Sequence, residues 1–245
     1  MTEGLSVLSP TATVLAGLPL AIDRDEVLRF QGYKKGVDVP TDEVLGIFAE
    51  ALALGERLIA PRVVYRTVTV TRRGADLIEA EGEVLHIPQI ERLWGPVESV
   101  GAGICTVGEQ LETRVSELFE ARELPLAVML DSVGSAAVES LAEYANDLLC
   151  QAALGTPVKV TNRISPGYAG WDTAEQTRLF RLCPGEPIGV SLNAASFMTP
   201  GKSISWLVGV GAGARVDHYF TQCRRCWMRD CAYRRAPAAV TVRAG

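Results

Sequence analysis

The first quarter of the chain carries apolar residues at the three- and four-residue spacing of amphipathic helices. Residues Arg24 to Gln31 predict a short helix that ends at Gly32. A longer helix is predicted over residues 43–59, with apolar positions at Leu45, Phe48, Leu52 and Ile59. Thr41 is suited to cap its start and Pro61 stops it, so both ends have a physical cause.

Three more helices are predicted beyond residue 100. The sequence Thr106-Val107-Gly108-Glu109 fits a capping box, and an apolar stripe follows at Leu111, Val115, Leu118 and Phe119. Asp131 or Ser132 can cap a second helix that runs to about Ala153. Residues 173–182 predict a third helix between loops.

Segments rich in β-branched residues separate these helices and predict strands. They are residues 63–70, 76–84, 97–104, 186–193 and 203–211. Gly74 marks a turn, so the second of these segments is expected to return as a hairpin partner of the first. Strands and helices alternate without a steady βαβ rhythm, which favours an α+β fold over a doubly wound parallel sheet.

Composition and charge narrow the function classes. The 245 residues are 48% hydrophobic and 22% charged, which predicts a globular chain of one large or two small domains. The net charge of −5 argues against a dedicated nucleic-acid binder, which needs a surplus of cations. No apolar run is expected to span a membrane, and the start of the chain lacks the basic region of a signal peptide, so a cytoplasmic location is expected.

A loop after residue 160 carries groups that suit a small-molecule site. In Arg163-Ile164-Ser165-Pro166-Gly167-Tyr168, the arginine can grip a carboxylate or phosphate, and the glycine allows close approach to the backbone. Tyr168 can stack on a flat ring or donate its hydroxyl. From spacing alone, the same residues are more typical of a surface turn with a solvated arginine.

This loop resembles the R-x-x-P-G-Y motif of the activation domain of cobalamin-dependent methionine synthase. Two further segments are similar to motifs of that family in the same order: Val138–Tyr144 resembles its A-E-x-x-A-E-Y helix, and Met198–Ser205 its M-x-P-x-x-S-x-S segment. The resemblance implies a mixed, mainly antiparallel twisted sheet flanked by helices. It also implies an N-terminal α/β segment over residues 1–95, an activation-domain-like core over 96–215 and a cysteine-rich tail over 216–245.

The same resemblance implies binding of S-adenosylmethionine, with Arg163 on its carboxylate and Ser165, Gly167 and Tyr168 positioning it. Glu139 and Glu143 project from one helix face, and one of them is expected to meet the ammonium or lie near the sulfonium, unless both face water. Glu139 is the favoured residue for the ammonium, because small alanines surround it in the sequence. Ser203 and Ser205 share a strand face and either line the site or are edge polar residues.

A cysteine cluster near the end of the chain predicts a metal site. Cys223, Cys226 and Cys231 form a C-x2-C-x4-C pattern, whose thiolates can converge on one centre. A [4Fe–4S] cluster is favoured, with Cys183, water or a small molecule at the fourth iron. Zinc, completed by His218, is the alternative. The other cysteines, Cys105, Cys150 and Cys183, sit singly in apolar surroundings and are expected to be buried.

Taken together, these features predict a stand-alone protein that reactivates a cobalamin-dependent methyltransferase, as a component of that methyltransferase reaction. The chain has no D-x-H-x-x-G motif, so the cobalamin is expected on a separate corrinoid-binding protein. An electron donor such as a flavodoxin or ferredoxin is the second expected partner, with no nucleic acid and no membrane. The alternatives are an iron–sulfur electron-transfer or unconventional radical S-adenosylmethionine protein, and a non-catalytic docking module for a corrinoid protein.

Overall fold

The computed structural model describes residues 9–168 and 170–217. Within them, six α-helices form: α1 (Arg24–Phe30), α2 (Asp42–Leu58), α3 (Ile90–Trp94), α4 (Gln110–Glu120), α5 (Leu124–Ala153) and α6 (Gln176–Leu182). The same residues form nine strands: β1 (Thr13–Ala16), β2 (Arg62–Gly74), β3 (Leu77–Ala80), β4 (Glu83–His86), β5 (Ser99–Thr106), β6 (Lys159–Val160), β7 (Ser191–Leu192), β8 (Met198–Thr199) and β9 (Ser203–Gly211).

One curled antiparallel sheet organises these elements. Its strand order in the described residues is β4-β3-β2-β5-β9-β6. The long strand β2 pairs with β5 on one side; on its other side it pairs with β1 along its first half and with β3 along its second half. The centre is regular: β5 pairs with β2 from Thr106↔Arg62 to Ser99↔Thr69, and with β9 from Thr106↔Ser203 to Ser99↔Val210. The strands on both sides of residue 95 therefore share one sheet, and the predicted α+β class is confirmed.

The sheet separates two hydrophobic cores. We call one side the α5 face, because α1, α2, α4 and α5 pack there against residues such as Tyr65, Trp206 and Val208. The other side is the α6 face, where α3, α6 and the β3–β4 hairpin pack against residues such as Leu207. Neighbouring residues of β9 thus alternate between the two cores, as strand geometry requires.

The predicted helices in the first quarter of the chain are confirmed. The short helix is α1, whose Asp23 side chain accepts hydrogen bonds from the backbone of Asp25 and Glu26. The long one is α2, and the Thr41 hydroxyl accepts from the backbone N–H of Val44 at 3.4 Å. The helix predicted over residues 173–182 is a 3-10 turn that continues into α6.

The two predicted helix starts around residues 106 and 131 are wrong. Thr106 is the last residue of β5; its hydroxyl accepts from the backbone N–H of Gly108 and donates to the carbonyl of Lys202. Helix α4 begins after it, at Gln110, without a side-chain cap. Helix α5 begins at Leu124, where a proline in the first turn suits a helix start, so Asp131 lies within the helix and pairs with the Lys202 ammonium at 2.7 Å.

The predicted strands are confirmed in the centre of the sheet and fail at its margins. β9 has the predicted bounds, and β2 and β5 lie within a few residues of theirs. Residues 76–84 do return as a hairpin partner, but a turn at Glu81 and Gly82, both with positive φ, divides them into β3 and β4. The strand predicted over 186–193 is wrong: Glu186–Ile188 is a 3-10 turn containing a proline, and only β7 is extended.

Helix α5 is the central element of the larger core. Its 30 residues have the length and apolar composition of a membrane-crossing helix, which the sequence reading did not anticipate. However, 56% of its most apolar window is buried inside the protein, against α1, α2, α4 and the sheet. A buried core helix has the same length and composition, so packing explains both properties of α5.

The centre of the α5 face depends on a glycine opposite a tryptophan. Gly103 of β5 pairs with Trp206 of β9, and a Cβ on Gly103 would lie 2.1 Å from Cζ2 of the indole. The indole therefore occupies the space where a side chain at position 103 would lie, and any side chain there would displace it. Gly46 in α2 is the opposite case, because it is exposed and nothing lies within 4 Å of its would-be Cβ.

We expect Gly103→Ala to lower the free energy of unfolding by about 2 kcal/mol or more, because the buried indole must move. Gly46→Ala is the matched control and should raise stability by up to about 1 kcal/mol through helix propensity. Urea denaturation followed by circular dichroism measures both. Equal stability of the two variants would contradict the packing described for Trp206.

Candidate functional site

Strand alternation at the edge of the sheet places Arg163. Ile164 forms a single antiparallel bridge with Leu207, with backbone N–H to carbonyl distances of 2.9 and 2.8 Å. Both side chains belong to the core on the α6 face. Arg163 and Ser165, on either side of Ile164, consequently project to the α5 face.

The Arg163 guanidinium is buried in an ion-pair cluster with α5. Its Nη2 donates to Oε2 of Glu139 at 2.5 Å and to Oε1 of Glu143 at 2.9 Å. The side chain of Arg163 is 8% exposed, that of Glu139 19% and that of Glu143 63%. Burial alone would lower the pKa of Arg163, but the two carboxylates outweigh it and raise the pKa above its ordinary value, so the cation is permanent.

The loop after Arg163 adds a hydroxyl to the same cluster. Gly167 has a φ of +91°, and its N–H donates to the carbonyl of Trp171 at 2.8 Å, which folds the loop back on itself. This turn brings the Tyr168 hydroxyl to 3.1 Å from Oε1 of Glu139, to which it donates. Glu139 is thus held from two sides, by a guanidinium and a phenol.

The charges of the cluster do not cancel. Two carboxylates and one guanidinium leave a net charge of −1 at neutral pH. The surplus belongs to the partly exposed Glu143, which solvent can reach. An arrangement of this kind can bind a zwitterion: the guanidinium attracts a ligand carboxylate, and the surplus carboxylate attracts an ammonium or sulfonium.

Of the predicted site residues, the structure brings together Arg163, Glu139, Glu143 and Tyr168. Gly167 lies in the turn that positions the tyrosine. Ser165 is buried at 4% exposure, and its hydroxyl has no hydrogen-bond partner among the described residues. Whether any of these residues binds a ligand stays a prediction.

Ser203 and Ser205 lie outside this cluster. The Ser205 hydroxyl donates to Oε1 of Gln176 at 3.1 Å, on the α6 face, and the Ser203 hydroxyl donates to the carbonyl of Pro200 at 2.7 Å. Strand alternation puts both on the side of the sheet opposite to Arg163. Within the described residues, Ser203 stabilises the turn before β9, and Ser205 joins β9 to α6.

Sequence reasoning missed the proximity of Cys105 to the cluster and, away from the cluster, a contact of Glu112. Cys105 of β5 is fully buried and close enough to Arg163 and Glu139 to feel their charges; burial raises its pKa to about 12, so it is a neutral thiol at pH 7 and not a nucleophile. Glu112 of α4 accepts from the backbone N–H groups of Gly201 and Lys202, at 3.0 and 2.8 Å. No sequence pattern pairs a helix glutamate with a loop 90 residues later.

The predicted metal ligands Cys223, Cys226 and Cys231, and His218, lie outside the described residues. Within the described part of the chain, no group of three or more His, Cys, Asp or Glu side chains is arranged to hold a metal ion. Cys183 is fully buried, its thiol points at the carbonyl of Val64, and burial raises its pKa to about 12, which disfavours it as a fourth ligand. Cys105 and Cys183 are buried as predicted, and Cys150 is half-buried.

Comparison with known proteins supports the fold. Among solved structures, the chain is similar to the MetH reactivation domain bound to AdoHcy, with 15% sequence identity and a TM-score of 0.62. The match covers 88% of this chain and 83% of that one. No protein-family model and no curated protein matches the sequence. At this identity, the likeness shows a shared fold.

We expect Glu139→Ala to lower the free energy of unfolding by about 3 kcal/mol, because it removes the less exposed of the two carboxylates that pair with the buried guanidinium. Glu143→Ala should cost less than about 1 kcal/mol, since its side chain is mostly in water. Urea denaturation at neutral pH measures the difference. Equal losses would show that the buried and exposed carboxylates hold Arg163 to the same degree, contrary to their exposure.

Proposed function

We propose that this protein binds S-adenosylmethionine at the Arg163 cluster and presents its methyl group to the cobalt of a corrinoid carried by a partner protein. Two observations support the proposal. The chain shares the fold of a MetH reactivation domain that was solved with AdoHcy, the demethylated form of this ligand. The cluster itself pairs a permanent cation with a surplus carboxylate, which suits an amino-acid end group.

Each group of the cluster has a proposed role toward the ligand. Arg163 takes the carboxylate, and the exposed Glu143 takes the ammonium or lies near the sulfonium. Glu139 keeps the guanidinium in place from within, while Tyr168 and the backbone of Ser165 and Gly167 position the ligand. Since Glu143 already contacts Arg163 at 2.9 Å, the ligand zwitterion would insert into an existing ion pair.

The proposed reaction is a reductive methylation. One electron reduces cobalt(II) of the inactive partner to cobalt(I). The electron pair of cobalt(I) then forms a bond to the sulfonium methyl, while the S–CH3 bond breaks and its electrons stay on sulfur. The products are methylcobalamin and S-adenosylhomocysteine. The contribution of this chain is to hold the methyl donor in line with the metal, which is the main advantage that binding can supply.

We expect isothermal calorimetry to detect binding of S-adenosylmethionine to the wild-type protein. Arg163→Ala should weaken it about 30-fold, or about 2 kcal/mol, through loss of a charge-assisted pair. Because that variant leaves the partly buried Glu139 without its guanidinium, Glu143→Gln is the second test and should weaken binding about five-fold while the protein stays folded. Glu120→Gln, on the exposed end of α4, is the matched control. Unchanged affinity in both site variants would remove the cluster from the ligand site.

We also propose that Cys223, Cys226 and Cys231 bind a [4Fe–4S] cluster that passes the electron, received from a flavodoxin or ferredoxin. The spacing of the thiols supports this. So does the course of the chain: the backbone N–H of Asp217 donates to Oδ1 of Asn162 at 3.0 Å, next to Arg163. Five residues separate this anchor from Cys223, and the six Cα–Cα steps span at most about 20 Å.

We expect anaerobically purified protein to be brown and to contain about four iron atoms per chain. Changing Cys223, Cys226 and Cys231 together to serine should remove the iron, whereas Cys150→Ser should retain it. A single zinc and no iron would contradict the cluster. Formation of 5′-deoxyadenosine in place of S-adenosylhomocysteine on reduction would favour a radical enzyme over a methyl donor.

A further inference from the structure

Arg62, at the start of β2, is a half-buried arginine that donates to no described group. Its Nε is buried and has no hydrogen-bond partner among the described residues. The other described arginines that are buried or half-buried all donate to a carboxylate; they are Arg29, Arg66, Arg114, Arg163 and Arg178. Removing a cation from water without an anion beside it is unfavourable, so Arg62 stands out as a cation suited to an anion from outside the fold.

Two glycines border the terminal nitrogens of Arg62. The would-be Cβ of Gly108 lies 3.8 Å from Nη2, and that of Gly189 lies 3.7 Å from Nη1. Both glycines have a positive φ, +85° and +76°, which other residues rarely adopt, so backbone without side chains lies on both sides of the guanidinium. Nε is the only nitrogen of this group that is buried without a partner in the described part of the chain, so Nη1 and Nη2 are open to solvent.

This position is separate from the Arg163 cluster. Val64, two residues further along β2, packs in the core of the α6 face, so strand alternation places Arg62 on that face and opposite to Arg163. Helix α4 begins at Gln110, two residues after Gly108, and has no side-chain cap. The positive end of that helix therefore adds to the charge of the guanidinium, and both favour an anion.

We propose that Arg62 binds a phosphoryl group, with Nη1 and Nη2 each donating to one of its oxygens. The planar fork of an arginine matches two phosphate oxygens, and the bordering glycines allow the anion to come close. A doubly charged phosphate gains more than a carboxylate does from the nearby helix end. The exposed Glu109 forms no described ion pair with Arg62, and its charge opposes the anion, so Glu109→Gln should strengthen binding.

A phosphate titration of the full-length protein followed by NMR tests the site directly. We expect inorganic phosphate to shift the amide signals of Gly108 and Gly189, whereas chloride at the same ionic strength should not. Arg62→Gln should weaken binding about ten-fold or more, and Arg62→Lys, which keeps the charge and loses the fork, about three-fold. Arg57→Gln is the matched control, because it removes an exposed arginine from the last turn of α2.

Glycerol 3-phosphate is the second probe: tighter binding than inorganic phosphate would identify a phosphorylated metabolite, and equal or weaker binding the free ion. The inference is overturned if phosphate shifts neither glycine signal, if Arg57→Gln weakens binding as much as Arg62→Gln, or if acetate binds as tightly as phosphate. Melting temperatures separate lost folding from lost binding, and Arg62→Lys decides the matter if Arg62→Gln does not fold. The result does not depend on whether S-adenosylmethionine binds at Arg163, on the other face of the sheet.

Discussion

The packing of the sheet edge against helix α5 depends on one buried guanidinium, that of Arg163. Removing Arg163 from water is costly, and the fold offsets the cost with two carboxylates from α5 and a tyrosine that fixes one of them. That solution works only if the loop after residue 160 and the middle of α5 stay in register. The candidate site is therefore also a set of ion pairs that joins the sheet to α5. The proposed ligand would bind at these charged side chains.

Local sequence patterns predicted most strands of the sheet and both ends of the two helices α1 and α2. β9 was predictable because it is a short apolar run that carries β-branched residues and ends in glycine, and α2 because Thr41 and Pro61 mark both ends. The pairing of Arg163 with Glu139 and Glu143 was not predictable from spacing, since i, i+4 acidic residues on a helix are common on solvated faces. The family-like motifs selected the same residues, and the structure shows that they meet as an ion-pair cluster.

The features that sequence patterns did not predict depend on contacts between residues far apart in the chain. The start of α5 was misplaced because Asp131 and Ser132 look like caps, whereas in the fold Asp131 pairs with Lys202 and the Ser132 hydroxyl accepts from Gln31. Glu112 and Trp206 carry no local pattern at all, because their partners, the Gly201–Lys202 backbone and Gly103, are supplied by other segments. Such contacts arise from tertiary packing, which a periodicity of 2 or 3.6 residues does not encode.

The thin attachment of the outermost sheet edge has a consequence for kinetics. Beyond β9, the described backbone pairs with the sheet only through the two-residue β6, two hydrogen bonds between Thr161 and Gly209 and one bridge at Ile164, in contrast to the long ladders between β2, β5 and β9. Amide hydrogens at such an edge exchange with solvent through local opening that leaves the central ladders intact. A ligand that contacted both this edge and α5 would slow that exchange. Its observed affinity would be lower than its intrinsic affinity, because binding would also have to order the edge.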